Sequence, residues 1–393
     1  MCERSRKLSD LIAAEIAARG PMTFARFVEL ALYHPQFGYY ASGRARIGQA
    51  GGDFYTNVSV GAIFGRILAG QFQEMWERLG RPERFCLVEQ GANDGQLAAD
   101  VLAALGREMM PFVEYWIIEG SEPLRSQQEQ RLAAFAEKVH WVGGLDELPA
   151  FTGVHFSNEL LDALPFHIVR STGEVWDELM VACEADDFVF VGQPPCPDLR
   201  AETAALPQRA SGYVTELRPA SRSWIEQLGA KLQAGYVLVI DYGFTREELL
   251  SLDRNEGTFS CYRAHHRDAK PLEEVGQKDI TAHVDFTALA EAARAVGFRV
   301  AGWADQHHFM VGASESLLRS LEGPPTAETQ KLLRTMKTLL HPETMGTQFH
   351  YLALAKGVDE QPALSGFRYG RPVQEIFAPV MEWPAEEGST PRG

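Results

Sequence analysis

The first 80 residues carry the apolar spacing of amphipathic helices. A first helix is predicted to begin after Ser9, which can cap it, and to end at the Gly-Pro pair at positions 20 and 21. Thr23 can cap a second helix, in which apolar residues recur at i, i+3, i+4 and i+7: Phe24, Phe27, Val28 and Ala31. A third helix is predicted from about residue 60 to residue 79. The amino-terminal region is therefore expected to be helical.

From residue 84 the pattern changes to short apolar strands that alternate with helices. Strands are predicted at 85–88, 115–118, 139–142, 154–156, 236–240, 299–303 and 349–355. Helices are predicted at 96–105, at 124–138 and from Leu160 onward. Such alternation predicts an α/β fold with a mostly parallel sheet and helices on both faces. Residues 165–220 interrupt it, and the runs 174–181 and 187–191 predict a β-hairpin there.

Composition and charge narrow the possible partners. The chain has 393 residues, of which 45% are hydrophobic and 23% charged, as is typical of globular proteins. It carries 37 Lys and Arg against 53 Asp and Glu, a formal net charge of −16. Binding to nucleic acid is driven by Lys and Arg contacts to phosphates, so no nucleic-acid partner is expected. The acidic excess suits a cationic ligand instead.

The lack of targeting segments and the spacing of the cysteines argue against several further classes of protein. No apolar run approaches the roughly 18–20 residues of a membrane span, and the amino terminus lacks the apolar run of a signal peptide. We therefore expect no membrane span and a cytoplasmic location. The five cysteines are scattered and form no C-x-x-C pair, so neither a disulfide framework nor a zinc site is indicated. No metal is predicted.

The segment VEQGANDGQ, residues 88–96, joins a predicted strand to a predicted helix and contains Gly91 and Gly95. In open parallel sheets, ligands bind at such turns. Glycines in the turn allow the backbone to come close to the ligand. The dinucleotide pattern G-x-G-x-x-G is not met, because positions 93 and 96 are Asn and Gln; this disfavours an NAD enzyme. The G-x-G-x-G loop of class I S-adenosylmethionine (SAM) methyltransferases fits better, with Asn93 in the middle, since asparagine tolerates a positive φ. A tight turn without a ligand is the alternative.

Polar residues stand at the ends of three predicted strands. Glu89 and Glu119 end the first two, and a carboxylate at the second position can accept both hydroxyls of an adenosine ribose. Asn158 and Glu159 end another strand, and Asp162 follows at the beginning of the next predicted helix, where it could equally be an ordinary cap. An acidic opening of this kind can accommodate the sulfonium cation of SAM.

Six segments, in this order, carry a resemblance to a known family: YHPQFGYY (33–40), GGDFYTNVSVGAIFG (51–65), VEQGANDGQL (88–97), SNELLDALP (157–165), VIDYGF (239–244) and DITAHVDF (279–286). Over roughly residues 8–356 the chain resembles the MidA family of SAM-dependent methyltransferases. The mitochondrial member is a complex I assembly factor that dimethylates an arginine of a core subunit. The resemblance implies a Rossmann-like class I fold, SAM as cofactor, and a protein substrate such as a respiratory-complex subunit.

Carried over residue by residue, the resemblance implies a cofactor site and a methyl-transfer pocket. The cofactor site would consist of a covering segment, a loop and a ribose-binding carboxylate: Gly52, Asp53, Phe54, Thr56, Glu89, Gly91, Gly95 and Glu119. Asn158, which we also count as cofactor-binding, and Glu159 would line the pocket. The chain departs from the family in the loop, where Ala92, Asn93 and Asp94 stand inside a segment that carries more glycines in other members.

This assignment divides the chain into five parts. Residues 1–80 are expected to form a helical region with a loop that covers the cofactor. Residues 81–165 and 221–357 would be two parts of one Rossmann-like domain with a mostly parallel, seven-stranded sheet. Residues 166–220 would be an inserted β-hairpin and helical subdomain on the substrate side. Residues 358–393 would be a carboxyl-terminal tail.

Two carboxylates are candidates for catalysis. A guanidinium has a pKa above about 12 and no free lone pair, so a carboxylate must orient it and help it lose a proton. We expect Glu159 to do this, with Asp162 as the second candidate. The leading hypothesis is that the enzyme transfers a methyl group from SAM to a protein arginine.

Two alternatives stay open. One keeps SAM but replaces the acceptor by a small-molecule hydroxyl or amine, with the inserted segment closing the pocket. The other is a non-catalytic assembly protein that retains the fold, which the changed glycine loop would favour. The sequence is compatible with a homodimer in each case.

Overall fold

A computed structural model describes residues 3–40, 58, 61–185, 187–263, 266–320, 326–340, 349–359 and 362–377. The helices of these residues are α1 (Glu3–Arg19), α2 (Phe24–Tyr33), α3 (Ile63–Arg78), α4 (Gln96–Ala104), α5 (Glu122–Arg131), α6 (Arg200–Ala204), α7 (Pro219–Lys231), α8 (Arg246–Leu249), α9 (Phe286–Ala295), α10 (Gln306–Ala313), α11 (Glu315–Ser320), α12 (Ala327–Leu340) and α13 (Val373–Ile376). The strands are β1 (Met22–Thr23), β2 (Phe85–Gln90), β3 (Val113–Ile118), β4 (Val139–Val142), β5 (Phe151–Asn158), β6 (His167–Ser171), β7 (Trp176–Glu184), β8 (Asp187–Gln193), β9 (Val214–Leu217), β10 (Leu232–Phe244), β11 (Ser260–Arg263), β12 (His266–Asp268), β13 (Asp279–Thr281), β14 (Val284–Asp285), β15 (Arg299–Asp305) and β16 (Phe349–Lys356).

The larger sheet follows the strand order β15-β16-β10-β5-β2-β3-β4 through the described residues, with the short β14 beside β10. Neighbours from β10 to β4 are parallel, and β16 runs antiparallel between β10 and β15. The chain builds outward from β2 to β4 and then returns to β5 on the other side of β2. The strand order therefore reverses between β2 and β5, which is where open α/β sheets bind ligands. The predicted mostly parallel α/β sheet is confirmed, and among the described residues the short β14 adds an eighth strand to the seven that were expected.

Helices cover both faces of this sheet because its central strands are apolar on both sides. β10 is buried at every position from 235 to 241. On one face the core includes Phe72 of α3 and Phe309 of α10. On the other face it includes Leu228 of α7 and Leu289 of α9. The sheet is thus held rigidly between two helical layers, and its carboxyl-end loops project from a fixed frame.

A second sheet packs against the amino-terminal helices. Its strands follow the order β1-β7-β6-β9, and β8 pairs with β7. The β7–β8 pair confirms the hairpin predicted in the interrupted region. Phe24 and Phe27 of α2 are buried against this sheet together with Phe166. Thr23 caps α2 as predicted, because its side chain accepts a hydrogen bond from the Arg26 amide at 3.2 Å.

The boundary of the first helix differs from the sequence prediction. α1 begins at Glu3, six residues before the expected cap at Ser9. Leu8 is completely buried and extends the apolar stripe of Ile12 and Ile16 by one turn toward the amino terminus. Tertiary packing of that turn therefore outweighed the capping signal.

The helix predicted from Leu160 is absent. The chain makes turns over 160–164 and then enters β6. Pro165 disfavours helical backbone in the residue before it, so a helix from Leu160 would end within its first turn or so. The prediction that Asp162 stands at the beginning of a helix is therefore wrong.

The carboxyl-terminal residues 362–377 pack on the larger sheet, where Phe367 and Phe377 are buried. The division of the chain into five parts stays a prediction. None of the described helices combines the length and the apolar character that crossing a membrane requires.

Candidate active site

A cavity of about 990 Å³ opens at the carboxyl ends of β2, β3, β4 and β5. Glu89 near the end of β2, Gly91 after it and Glu119 after β3 line one side, which we call the Glu119 end. Asn158, the last residue of β5, and Glu159 directly after it line the other side, which we call the Glu159 end. The volume is in the range of small-molecule sites, and the cavity straddles the point where the strand order reverses.

The loop between β2 and α4 takes a left-handed backbone at three residues. The φ angles are +84° at Gly91, +46° at Asn93 and +80° at Gly95. This region favours glycine, and asparagine is among the other residues that adopt it most readily. Asn93 therefore takes the conformation that a glycine would take there. The replacement of the middle glycine is compatible with a tight loop.

Two side chains of α5 brace this loop. Gln128 is buried, and its Nε2 donates to the Asn93 carbonyl at 2.7 Å and to Glu119 Oε2 at 3.2 Å. Arg131 donates to the carbonyl of Asp94 at 2.9 Å and to its carboxylate at 2.8 Å. α5 thus connects the loop to the carboxylate that ends β3, and it neutralises the charge that Asp94 adds.

Both carboxylates at the Glu119 end are oriented by hydrogen bonds. Glu119 Oε1 accepts from the Ser121 amide at 2.7 Å, and its other oxygen accepts from Gln128. Burial raises the pKa of Glu119, and these two bonds oppose the rise. Glu89 is 2% exposed, and its Oε2 accepts from the Tyr115 hydroxyl at 2.6 Å. Burial raises the pKa of Glu89 to about 7.

The carboxylates at the Glu159 end are less well compensated. Asn158 Nδ2 donates to Glu159 Oε1 at 3.0 Å. Glu159 Oε2 and Asp162 Oδ1 are buried and have no hydrogen-bond partner among the described residues. Burial, and then the charge of Asp162, raises the pKa of Glu159 well above its ordinary value. Burial also raises the pKa of Asp162, against the opposing effect of Arg218. A cationic group that reached these two buried oxygens would supply the hydrogen-bond donors that they lack among the described residues.

Two further groups surround these carboxylates. The Asp241 side chain is completely buried behind the turn at 160–164 and accepts hydrogen bonds from its amides. Arg218 donates to the backbone carbonyls of Asp162 at 3.0 Å and Ala282 at 2.8 Å. The guanidinium thereby stabilises the turn and supplies a positive charge beside the acidic cluster.

The segment after α2 forms a wall of the Glu159 end. The Tyr40 hydroxyl donates to Asp279 Oδ1 at 2.8 Å, and the Tyr33 hydroxyl donates to the Ala163 carbonyl at 3.0 Å. The two tyrosine rings are 5.5 Å apart between centroids. Both tyrosines and Asp279 line the cavity. The amino-terminal region therefore contributes aromatic surface to the acidic end of the site.

Most of the residues expected to form the site lie around this one cavity. Those in its lining are Glu89, Gly91, Glu119, Asn158, Glu159 and Asp162. Gly95 lies in the same loop, at the beginning of α4, but is not part of the lining. The expected covering residues lie outside the described residues: Gly52, Asp53, Phe54 and Thr56.

His167 lies in β6 and is not part of the cavity lining. His167 Nδ1 lies 2.7 Å from Glu178 Oε1 in the second sheet, and the Cys196 amide donates to Glu178 Oε2 at 2.8 Å. These three side chains place potential metal ligands within 4.8 Å of one another. Both carboxylate oxygens of Glu178 are already hydrogen-bonded, so the arrangement is accounted for without an ion.

Sequence reasoning missed three residues that organise the cavity: Asp241, Gln128 and Arg218. Asp241 did carry a signal, because it follows the most apolar strand of the chain just as Glu89 and Glu119 follow theirs. Gln128 lies in a polar helix and Arg218 before another helix, and no local pattern distinguishes either one. Only the tertiary fold brings them to the site.

The strand order, the glycine-bearing turn after β2 and the carboxylate after β3 define the class I SAM-dependent methyltransferase architecture. The site fits this cofactor: a left-handed loop permits close approach, Glu119 is aimed into the cavity, and the lining is acidic enough for a sulfonium.

The comparisons with known proteins agree. A family profile described as "Putative S-adenosyl-L-methionine-dependent methyltransferase" matches residues 67–304. A Burkholderia thailandensis protein crystallised with S-adenosyl-homocysteine is 31% identical, with a TM-score of 0.86 over 95% of this chain and 97% of that one. The chain belongs to this family of SAM-dependent methyltransferases, and SAM is its cofactor. The resemblance to the MidA family is confirmed.

Curated relatives extend the comparison. Human mitochondrial protein arginine methyltransferase NDUFAF7 is 28% identical over 93% of this chain and 87% of its own length. Its Drosophila melanogaster homologue is 27% identical over 89% and 85%. Both are named as mitochondrial proteins, which contradicts the cytoplasmic location expected from the sequence. That expectation rested on the lack of a recognisable signal, and the fold carries no information about compartment.

Proposed function

We propose that this methyltransferase acts on an arginine side chain of a protein. The observation that carries the proposal is the pair of buried carboxylate oxygens without a partner, Glu159 Oε2 and Asp162 Oδ1, in the cavity lining. A guanidinium offers several N–H donors and a delocalised charge, which suit two carboxylates. The names of the curated relatives support the same acceptor. The net charge of −16 favours a basic partner segment, of which an arginine-bearing subunit of a respiratory complex is one candidate.

We assign the cofactor to the Glu119 end. The Glu119 carboxylate would accept the ribose hydroxyls, since two donors already fix its orientation. The backbone at Gly91 and the Glu89 carboxylate would face the methionine portion, and Gly95, outside the lining, would shape the loop behind them. Asn158, at the Glu159 end, would contact the cofactor near the reacting methyl group. The covering roles expected for Gly52, Asp53, Phe54 and Thr56 stay predictions.

The residues at the Glu159 end would orient the acceptor and take up its proton. When bound, SAM supplies an electrophilic methyl group and leaves as S-adenosylhomocysteine, with the electrons of the broken carbon–sulfur bond on sulfur. As the guanidinium nitrogen bonds to the methyl carbon, it must lose a proton. The positive charge of the bound guanidinium would favour the ionised form of Glu159, and Oε2 would then accept that proton, since burial makes this carboxylate a stronger base than an exposed one. The Asp162 carboxylate would pair with the positive charge that the methylated guanidinium keeps, and so hold the side chain in position.

The decisive experiment uses matched peptides and two variants. Peptides that carry a central arginine, or lysine in its place, are incubated with SAM, and the modified residue is identified by mass spectrometry. We expect methylarginine from the arginine peptide alone. Glu159→Gln should slow transfer by about 10²–10⁴-fold and leave S-adenosylhomocysteine affinity nearly unchanged. Glu119→Ala should weaken that affinity roughly tenfold or more.

Glu129→Gln is the matched control, because Glu129 pairs with Arg125 on the exposed side of α5. It should change neither affinity nor rate. Methylation of a small-molecule hydroxyl or amine, with none on peptides, would contradict the arginine assignment. Cofactor binding with no transfer to any acceptor would favour the non-catalytic alternative.

A further inference from the structure

Asp241 accepts an unusual number of backbone hydrogen bonds for one side chain. Its Oδ2 accepts from the amides of Leu160, Leu161 and Asp162 at 3.2, 2.8 and 3.3 Å. Its Oδ1 accepts from the Tyr242 amide at 2.9 Å. The residue is completely buried within β10. Both carboxylate oxygens are therefore committed to backbone donors, and three of those donors belong to a single turn.

That turn carries both carboxylates assigned to the acceptor. Glu159 has a φ of +55°, a left-handed conformation that is unfavourable for a side chain of this size. Its amide donates to the Ile240 carbonyl at 2.9 Å, one residue before Asp241. At the far side, the Asp162 carbonyl accepts from the Ala282 amide at 3.0 Å. The end of β10 thus holds the turn where its backbone is strained.

We propose that Asp241 is a positioning residue for methyl transfer: its carboxylate anchors the 160–162 amides and so holds Glu159 and Asp162 in the orientation that the acceptor requires. The inference rests on the proposed function for the roles of those two carboxylates. Asp241 itself is absent from the cavity lining, so it acts through the turn and not on the acceptor.

The hydrogen-bond pattern explains why this position needs a carboxylate. An asparagine of the same shape has one acceptor oxygen and one amide donor. In either orientation its NH₂ group would face backbone N–H groups, those of the turn or that of Tyr242. Asp241→Asn therefore keeps the volume of the side chain but breaks part of the anchor, which makes it the informative variant.

The control makes the same substitution where a single acceptor oxygen is enough. Asp305 caps α10 by accepting from the His308 amide at 2.8 Å, outside the cavity lining. Asp305→Asn removes the charge but keeps an oxygen that can accept from this amide, so it tests whether an aspartate-to-asparagine change by itself has the same effect. Should Asp241→Asn fail to melt cooperatively, Asp241→Ser, which is smaller and still offers one acceptor, takes its place.

Two measurements test the proposal on the full chain. In hydrogen exchange followed by mass spectrometry, Asp241→Asn should accelerate exchange in peptides spanning 160–162 by about tenfold or more, and Asp305→Asn should not. In transfer assays with the arginine peptide, Asp241→Asn should lower kcat by about 100-fold, because small displacements of catalytic groups are costly. The affinity for S-adenosylhomocysteine should stay within about threefold, which a general loss of structure would not allow.

Unchanged exchange at 160–162 would overturn the proposal, as would faster exchange with an unchanged kcat. An equal loss of kcat and cofactor affinity would also overturn it, in favour of a structural role. If the wild-type chain does not methylate arginine at all, the proposed function fails, and the exchange measurement still decides whether Asp241 anchors the turn.

Discussion

The two ends of the cavity hold their carboxylates in different ways. At the Glu119 end, Glu119 accepts hydrogen bonds at both oxygens, from Ser121 and Gln128. At the Glu159 end, one oxygen of Glu159 and one of Asp162 are buried without a partner among the described residues. One end is fixed by bonds within the protein, whereas the other leaves two buried carboxylate oxygens without a hydrogen-bond donor in the described part of the chain, although Arg218 lies beside them.

This difference indicates which end of the cavity is preformed. A carboxylate that is already hydrogen-bonded keeps its geometry before a ligand arrives and costs little to maintain. A buried carboxylate oxygen without a donor carries a desolvation cost, which a bound cation would relieve. We therefore expect the Glu119 end to be complete in the free protein and the Glu159 end to be completed by its cationic acceptor.

The largest predicted change is in the pH dependence of stability and concerns Glu89, which is the strained carboxylate of the Glu119 end. Its pKa is raised by burial from 4.5 to about 7, so the folded protein binds this proton more tightly than the unfolded chain does. The associated stability is present below pH 4.5 and is lost as the pH rises through 7. Glu89→Gln does not titrate, so its free energy of unfolding relative to wild type should rise by up to about 3 kcal/mol between pH 4 and pH 8.

Denaturant unfolding at several pH values measures this difference, and groups common to both proteins cancel. The charged group that acts with burial on Glu89 is Asp94, and Tyr115 opposes it as a hydrogen-bond donor. A difference that does not vary with pH would mean that Glu89 is solvated in solution. The Glu119 end would then contain no strained carboxylate at all.

An intermediate effect is expected from Gln128, which makes the Glu119 end rigid. Gln128→Ala removes the donor shared by the Asn93 carbonyl and Glu119, and it leaves the Trp141 N–H without its acceptor. Affinity for S-adenosylhomocysteine should fall roughly tenfold, about 1.4 kcal/mol, as measured by calorimetric titration. Gln130→Ala, on the exposed side of the same helix, is the control. Equal affinities in the two variants would show that the brace is dispensable.

The smallest effect is expected at Asn93, which departs from the glycine of related loops. Because its φ is +46°, Asn93→Gly should relieve a modest strain and raise the free energy of unfolding by at most about 1 kcal/mol. Cofactor affinity should change less than about threefold. Thermal unfolding and calorimetry check both values. A gain in affinity of tenfold or more would identify asparagine as a defect, and the Glu119 end would not be preformed.

Local patterns explain why much of the site could be predicted. Glu89 lies near the end of an apolar strand, and Glu119 and Glu159 each follow one directly. Parallel strands bring their carboxyl ends to one edge of the sheet. The loop from Gly91 to Gly95 joins a strand to a helix, so its place in the fold follows from its neighbours in the chain. In each case the position of the residue relative to its neighbours in the chain was enough to predict its place in the site.

The failures have the opposite origin. The helix predicted from Leu160 does not form, because Pro165 follows closely. In addition, the amides of the turn donate hydrogen bonds to Asp241, some 80 positions away in the chain. The first helix extends beyond its expected cap because Leu8 packs in the core. Contacts between distant segments decided these elements, and a periodicity of apolar residues does not encode them.

Neighbouring residues alone indicated the α/β class, the seven main strands of the larger sheet and the polar residues at the ends of several of them. The tertiary structure decided which carboxylates are compensated. Gln128 reaches Glu119, and Asp241 reaches the turn beside Glu159, only after folding. Hydrogen-bond partners and burial set the energy of each charge, and both arise from packing between segments that are far apart in the chain.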